Sequence, residues 1–301
     1  KVELKYGENP NQKASYHLDN FNNSLFKSKI QGKDLGYNNI LDLDAGLNCI
    51  QEFNEPTCVI IKHNNPCGVA SSNSIHNAFT TALRADPISA FGGIVVLNRF
   101  VDKKLATKLS QNFYEIIAAK KFNKAALNIL KNKKRLILIK TSNLIPRYKN
   151  EIRIVIGGYL KQEKNVKKII KKDFICVSKN KANLKTLEDL VFAFKVCKHV
   201  KSNAIVLVNN KQTVGIGAGQ MSRLDATKIA ILKKNKMNKI KKFVAASDAF
   251  FPFTDNIKLL IKNKCYSIIQ PQGSINDNKI IDFANKKNIS LYFTKYRLFK
   301  H

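Results

Sequence analysis

Short apolar runs alternate with helical stretches along the whole chain, and that alternation limits the fold more than any other feature. The strand-like runs are 58–62, 94–97, 136–139, 204–208, 243–245 and 267–269. Helical spacing covers 42–53, 75–84, 102–109, 124–130, 187–199, 225–232 and 280–285. Strands interleaved with helices predict an α/β fold built on a sheet. At 301 residues, 44% of them hydrophobic, the chain can bury two domains or one large one. The polar stretch 140–150, broken by Pro146, is the expected connection between a first half, 1–150, and a second, 151–301. A second polar stretch, 163–173, reads as a surface loop or a basic helix. Asp86 stands five residues before Phe91 and Asp248 five before Phe253, an echo from which two related halves are expected.

Several function classes drop out. No apolar run reaches the ~18 residues of a membrane span, so none is expected. The six cysteines, Cys49, Cys58, Cys67, Cys176, Cys197 and Cys265, form no C-x-x-C pair. They read as reduced thiols of a cytoplasmic protein, without a structural zinc knuckle. The first residues, from Lys1 to Tyr6, already look like working sequence, so a piece of a longer chain is expected.

The formal charge of +32 raises nucleic-acid binding as a rival reading. Only seven of the 53 basic residues are Arg, the side chain that reads bases and phosphates best. The lysines are spread widely, in runs such as 131–134, 167–172 and 239–242, among many Asn and Ile residues. Lys, Asn and Ile share AT-rich codons, so a biased genome accounts for the profile without a specific nucleic-acid site. The charge still attracts anionic substrates nonspecifically.

Four segments carry chemistry. In Ile60-Ile61-Lys62-His63-Asn64-Asn65-Pro66-Cys67-Gly68 an apolar strand ends in Lys-His and is expected to break at Pro-Cys-Gly. Strand ends opening into loops are where α/β folds place reactive groups. An imidazole accepts a proton near neutral pH, and the Lys62 ammonium beside it favours the uncharged, basic ring. A surface Lys-His pair is the bland alternative. A zinc-deaminase site needs H-x-E and P-C-x-x-C, and here Asn65 and Ala70 break both.

In the segment 215–225, Gly215, Gly217 and Gly219 are read as a strand-to-helix turn that lets backbone approach a ligand. Gln220 rules out a dinucleotide fingerprint, and Arg223 is placed to hold a carboxamide, carboxylate or phosphate. The segment 246–256 sets Phe250, Phe251 and Phe253 beside Asp248, Asp255 and Asn256. Such a cluster fits a flat heteroaromatic ligand, with at least one of the rings in the core. In the tail 293–301 aromatic and basic residues alternate, as in a docked strand carrying Arg297 inward to an anion. A basic surface tail is the equal alternative.

Together with 4–12 and 85–93, these segments closely resemble the AICAR transformylase part of the bifunctional transformylase/IMP cyclohydrolase family, in the family's order along the whole chain. The blocks 153–163 and 200–208 extend the likeness. The resemblance implies two cytidine-deaminase-like α/β units without zinc, with the N-terminal cyclohydrolase domain absent. It implies formyl transfer from 10-formyltetrahydrofolate to the 5-amino group of aminoimidazole-carboxamide ribonucleotide (AICAR) in purine (IMP) biosynthesis. His63 is then the general base and Lys62 the transition-state stabiliser.

By the same resemblance Lys5, Tyr6 and Arg297 hold the nucleotide, chiefly its phosphate. Asn203 and Arg223 contact its carboxamide side, Gly92 and Glu115 match further nucleotide-binding positions, and Phe250 lies against the reacting region. Leu224, Asp255 and Asn256 line the folate side. The implied partners are the two small-molecule substrates and a second subunit, in a homodimer with interfacial active sites; no specific nucleic acid and no membrane are expected. A monovalent cation near Asp248 and the tail, present in some members, stays open. Two departures stand out. Lys5 replaces the usual Arg and loses its bidentate fork, and Lys300 stands where some members have His.

Overall fold

The structure of the protein, a computed structural model, describes residues 1–18, 24–142, 144, 149–237 and 240–301. Pro146 and Lys239, which figured in the sequence reading, lie outside the described residues. The N-terminal segment contributes β1 (Val2–Leu4), β2 (Ala14–Tyr16), α1 (Leu25–Ser28) and β3 (Lys29–Gln31). Then follow α2 (Tyr37–Ile50), β4 (Thr57–Lys62), β5 (Asn65–Ser71), α3 (Ile75–Ala85), α4 (Pro87–Ala90), β6 (Gly93–Leu97), α5 (Lys103–Ser110), β7 (Tyr114–Ala119), α6 (Lys124–Leu130) and β8 (Ile137–Lys140).

A solvent-exposed ribbon, β9 (Asn150–Val155) with β10 (Gly158–Glu163), leads into the second half. There β11 (Ile175–Cys176), α7 (Leu184–Cys197), β12 (Ile205–Asn209), β13 (Gln212–Gly217), α8 (Arg223–Asn235) and β14 (Phe243–Ser247) come first. The chain closes with α9 (Asp255–Lys262), β15 (Cys265–Pro271), α10 (Asp277–Lys286) and β16 (Ser290–Thr294). The stretch 163–173 holds no long helix, only a 3-10 turn at Lys171–Asp173. The alternation predicted an α/β fold, and each strand-like and helical run named above falls on an element of that type.

One sheet of 12 strands runs β11-β16-β15-β14-β12-β13-β5-β4-β6-β7-β8-β3. Read outward from the β13–β5 junction, its two sides match. In each, an antiparallel hairpin (β4–β5, β12–β13) is followed by one antiparallel and two parallel partners. The two sides therefore share a strand pattern, in which Asp86 and Asp248 do not occupy matching places. Asp86 caps α4 before a strand, whereas Asp248 follows the end of β14.

Helices cover both faces. On one, α2 and α7 pack over residues such as Val59, Ile61, Ile94, Val206 and Val244. On the other, α3, α5 and α6 cover the first half and α8, α9 and α10 the second. Burial on both faces explains why these strands read as continuous apolar runs instead of alternating ones. Among the described residues no helix is long and apolar enough to cross a membrane.

Two glycine readings change. Gly215 and Gly217 lie inside β13, where a Cβ would come within 2.0 Å of Ala230 O and 1.8 Å of Ala226 O of α8. Gly68 in β5 does the same for α3, with Ala82 O at 2.2 Å. These glycines let a helix sit close on its strand, and of the three in the 215–219 series only Gly219, at φ +65°, serves a turn.

Candidate active site

The segment 60–68 does not break at Pro66-Cys67-Gly68, because these three residues are buried inside β5. The chain reverses at His63-Asn64, whose φ values are 50° and 60°. Positive φ at both central residues is the requirement of a type I′ hairpin turn, which Asn meets more readily than His. His63 is thereby held at a hairpin tip, exposed, with no hydrogen bond from its ring to the described residues. Lys62 points its ammonium at two carbonyls, Phe91 O at 3.1 Å and Gly92 O at 3.2 Å. Gly92 has φ +64°, a conformation that Gly adopts without strain and that presents this carbonyl to Lys62.

Strand register brings the other first-half candidates to the same end of the sheet. Gly93 pairs with Tyr114, so Gly92 and Glu115 both lie at this end of their paired strands, and Glu115 is held by Lys33 at 2.5 Å. Lys5 and Tyr6 follow β1, the ammonium 6.0 Å from the ring centroid. Their segment is tied to the start of α2 by Asn38 Nδ2, which donates to Glu8 O at 3.1 Å. One helical turn on, Asp42 Oδ1 accepts the Asn64 backbone N–H at 2.6 Å. Asp42 went unnoticed in the sequence, since nothing in an isolated helical Asp points to a turn 22 residues away.

The second-half candidates converge on a cavity of about 470 Å³ at the same sheet end, lined by Asn203, Arg223, Phe250 and Arg297 with Met221, Pro252, Pro271, Lys295 and Phe299. Asn203 Nδ2 donates to Gln220 O at 2.8 Å and Met221 O at 3.0 Å, which fixes the amide and leaves its oxygen for a ligand N–H. Ser222 caps α8 by accepting from Asp225 N, and Arg223 follows as the first helical residue. Its guanidinium binds Asp248, which is wholly buried, and reaches Ser247 Oγ at 3.3 Å.

Asp248 is the hub of this wall. Ser202 Oγ donates to its carboxylate at 2.6 Å, and the Leu298 N–H to its backbone oxygen at 2.9 Å. The tail is docked by these bonds and by Ser202 N to Lys300 O at 2.9 Å, but it forms no strand beyond Thr294. Arg297 reaches the cavity from that docked coil, stacked 4.6 Å over the Phe299 ring. Of the three aromatics in 246–256, Phe251 is core at 0% exposure, while Phe250, 37% exposed, lines the cavity.

Leu224 and Asp255 stand half-buried at the starts of α8 and α9. Asn256 is buried, takes the Thr227 hydroxyl at 2.7 Å and braces α8 against α9 instead of lining the cavity. Lys62 and His63 do not line the cavity either. They are tethered beside it, because Asn65 Oδ1 accepts the Lys201 backbone N–H at 2.9 Å, two residues before Asn203.

The donors near Asp248 do not fit a monovalent cation. The carboxylate is already neutralised by Arg223 and bonded by Ser202. The tail adds a second cation of its own, the half-buried Lys300 ammonium, which donates to His199 O at 3.3 Å. Burial lowers the Lys300 pKa. No group of three or more His, Cys, Asp or Glu is arranged to hold a metal ion among the described residues.

Known proteins resemble the chain over its whole length. A Caldicellulosiruptor saccharolyticus protein named bifunctional purine biosynthesis protein PurH is 45% identical over 304 residues, covering 99% of this chain. Proteins of the same name from Buchnera aphidicola subsp. Schizaphis graminum and Fusobacterium nucleatum are 46% and 45% identical, each covering all of it. The chain spans 59% of the length of each of these relatives. The sequence model of the AICARFT/IMPCHase bienzyme matches residues 1–233, and the chain belongs to that family.

Proposed function

We propose that this chain is a folate-dependent formyltransferase, which moves the formyl group of 10-formyltetrahydrofolate to the 5-amino group of AICAR in cytoplasmic purine biosynthesis. The observation that carries the reading is the convergence, at one end of the sheet, of the Lys62-His63 hairpin with a cavity walled by Asn203, Arg223, Phe250 and Arg297. The nucleotide's phosphate has Arg297, Lys5 and Tyr6, its carboxamide has Asn203 and Arg223, and Gly92 and Glu115 border it. Leu224, Asp255 and Asn256 are assigned to the folate side, with Asn256 acting through α9.

The aromatic amine of AICAR is a weak nucleophile, since its lone pair is delocalised into the imidazole and carboxamide. The His63 imidazole takes a proton from it as the nitrogen attacks the formyl carbon. The tetrahedral oxyanion and the departing folate nitrogen are stabilised by the Lys62 ammonium, held ready by the Phe91 and Gly92 carbonyls.

The two halves, 1–150 and 151–301, are read as two cytidine-deaminase-like units, a proposal supported by their matching strand orders. A homodimer with interfacial sites is supported by the exposure of Ile88 (76%), Phe91 (66%), Phe253 (65%) and Met221 (102%) on this part of the surface. Tetrahydrofolate release, followed spectroscopically with and without AICAR, tests the activity. For His63→Ala the expected result is loss of about 10²–10⁴ in turnover with AICAR affinity retained. Unchanged turnover would remove His63 from the chemistry.

A further inference from the structure

The fold contains two hairpin turns of the same build, and only one of them carries candidate catalytic side chains. Asp42 is the sixth residue of α2, and Asp189 is the sixth of α7. Asp189 takes two consecutive turn N–H groups, Asn210 at 2.9 Å and Lys211 at 2.7 Å. Asp42 takes the Asn64 N–H at 2.6 Å and is also bonded by the His63 backbone. All four turn residues are left-handed, with φ of 50° and 60° at His63-Asn64 and 51° and 52° at Asn210-Lys211.

Side chains with a Cβ adopt that conformation at a cost, and charge-assisted bonds from the turn N–H groups to a helix-borne carboxylate offset it. Burial raises the pKa of both carboxyls, as expected for groups aimed inward at backbone. The two turns lie at opposite ends of the sheet, because β13 and β5 run antiparallel. The Asp189 turn is therefore a structural copy of the Asp42 turn, remote from the cavity.

We propose that Asp42 is a positioning residue for formyl transfer, holding the His63-Asn64 turn so that the imidazole faces the bound amine. This rests on His63 being the proton acceptor. Misplacing a reacting group by about 1 Å costs on the order of 10²-fold in rate, so the grip acts on turnover more than on nucleotide binding, which uses other side chains.

The test measures kcat, KM for AICAR and Tm for wild type, Asp42→Ala, Asp42→Asn and Asp189→Ala. The two alanine variants are expected to lose similar Tm, since each releases one turn. Asp42→Ala should lose about 10- to 100-fold in kcat with the AICAR KM nearly unchanged. Asp42→Asn, which keeps an oxygen for the Asn64 N–H, should recover part of that loss. Asp189→Ala should keep wild-type kcat.

An Asp42→Ala enzyme with wild-type kcat overturns the proposal, as does an Asp189→Ala enzyme that loses as much. Should Asp42→Ala not fold, Asp42→Asn decides: full wild-type kcat in that variant overturns the proposal, and reduced kcat at unchanged KM supports it. A wild-type chain that transfers no formyl group at all overturns the formyltransferase reading and this proposal with it. An active wild type beside an unaffected Asp42→Ala overturns the positioning role alone.

Discussion

Asp248→Asn tests the cavity wall, because the change removes one charge and almost no volume. Asp248 is 0% exposed and its partner Arg223 has 9% of its side chain exposed, so the pair is screened by protein and not by water. Deleting one partner of such a pair costs about 3–5 kcal/mol, since the other charge stays buried without compensation. Asparagine can still offer an oxygen to Arg223 and donate to Ser202 Oγ, which argues for the lower figure, about 3 kcal/mol. Unfolding entropy of ~2.1 cal/mol/K per residue over 301 residues amounts to about 630 cal/mol/K. The expected fall in Tm is then about 5 °C.

Scanning calorimetry on wild type, Asp248→Asn, Arg223→Met and the double variant reads both quantities. In the double variant no unpaired charge remains, so its destabilisation should fall short of the sum of the singles by about 0.5–3 kcal/mol. AICAR binding, followed by titration calorimetry, should weaken in every variant, because Arg223 is either freed from its bracket or missing. A Tm for Asp248→Asn within about 1 °C of wild type, or strict additivity in the double variant, would refute the reasoning.

Two further outcomes follow from the same structure. Gly92→Ala places a Cβ 3.2 Å from Lys62 Nζ in a backbone at φ +64°, so calorimetry should show a loss of about 1–3 kcal/mol and formyl transfer should fall with it. Glu52 sits where the ends of α2 and α7 meet. Burial pushes its carboxyl up, but Lys198 at 2.8 Å and His199 at 3.3 Å outweigh that and leave it below the ordinary 4.5. Burial also keeps His199 below its usual value, so at neutral pH the ring is uncharged and Lys198 is the charged partner. A depressed carboxyl gives stability that is complete above its unfolded value and is lost as pH falls through the folded one. Glu52→Gln should therefore cost about 1.5–3 kcal/mol at pH 7, and its stability should decline less steeply than that of wild type below about pH 4.5, as thermal melts across pH would show.

How much was legible depended on whether the information was local. Buried strands and amphipathic helices announce themselves by periodicity, so the α/β alternation could be read directly. The blocks around Lys62-His63, Arg223 and Arg297 are contiguous and carried the family likeness. The hairpin turn at His63-Asn64 was hidden, because Pro66-Cys67-Gly68 reads as a break although strand pairing absorbs it. Gly215 and Gly217 were misread for a related reason, since a glycine excused by a helix lying on its strand looks the same in sequence as one excused by a ligand. Asp42 and Ser202 act through partners 22 and 46 residues away, and spacing alone does not report such contacts.

The internal repeat gives the sheet two comparable ends, and their polar groups explain why only one reads as a site. At the end bearing the Asn210-Lys211 turn, the polar groups satisfy one another. Asn98 accepts from Thr57 N at 2.8 Å and donates to Phe53 O and Glu55 O at 3.1 and 2.7 Å. Lys211 pairs with Glu55 at 2.6 Å and Glu188 at 3.3 Å, and Arg99 donates to Asn54 O at 2.6 Å. At the other end the equivalent groups are oriented but not used up. Asn203 keeps its oxygen, the Arg223 guanidinium is gripped mainly through one nitrogen, Arg297 rests on an aromatic ring, and the His63 ring makes no hydrogen bond to the described residues. Preorganised groups with spare hydrogen-bonding capacity, beside a cavity, are what binding and charge stabilisation require. The same topology with that capacity spent internally holds the sheet together.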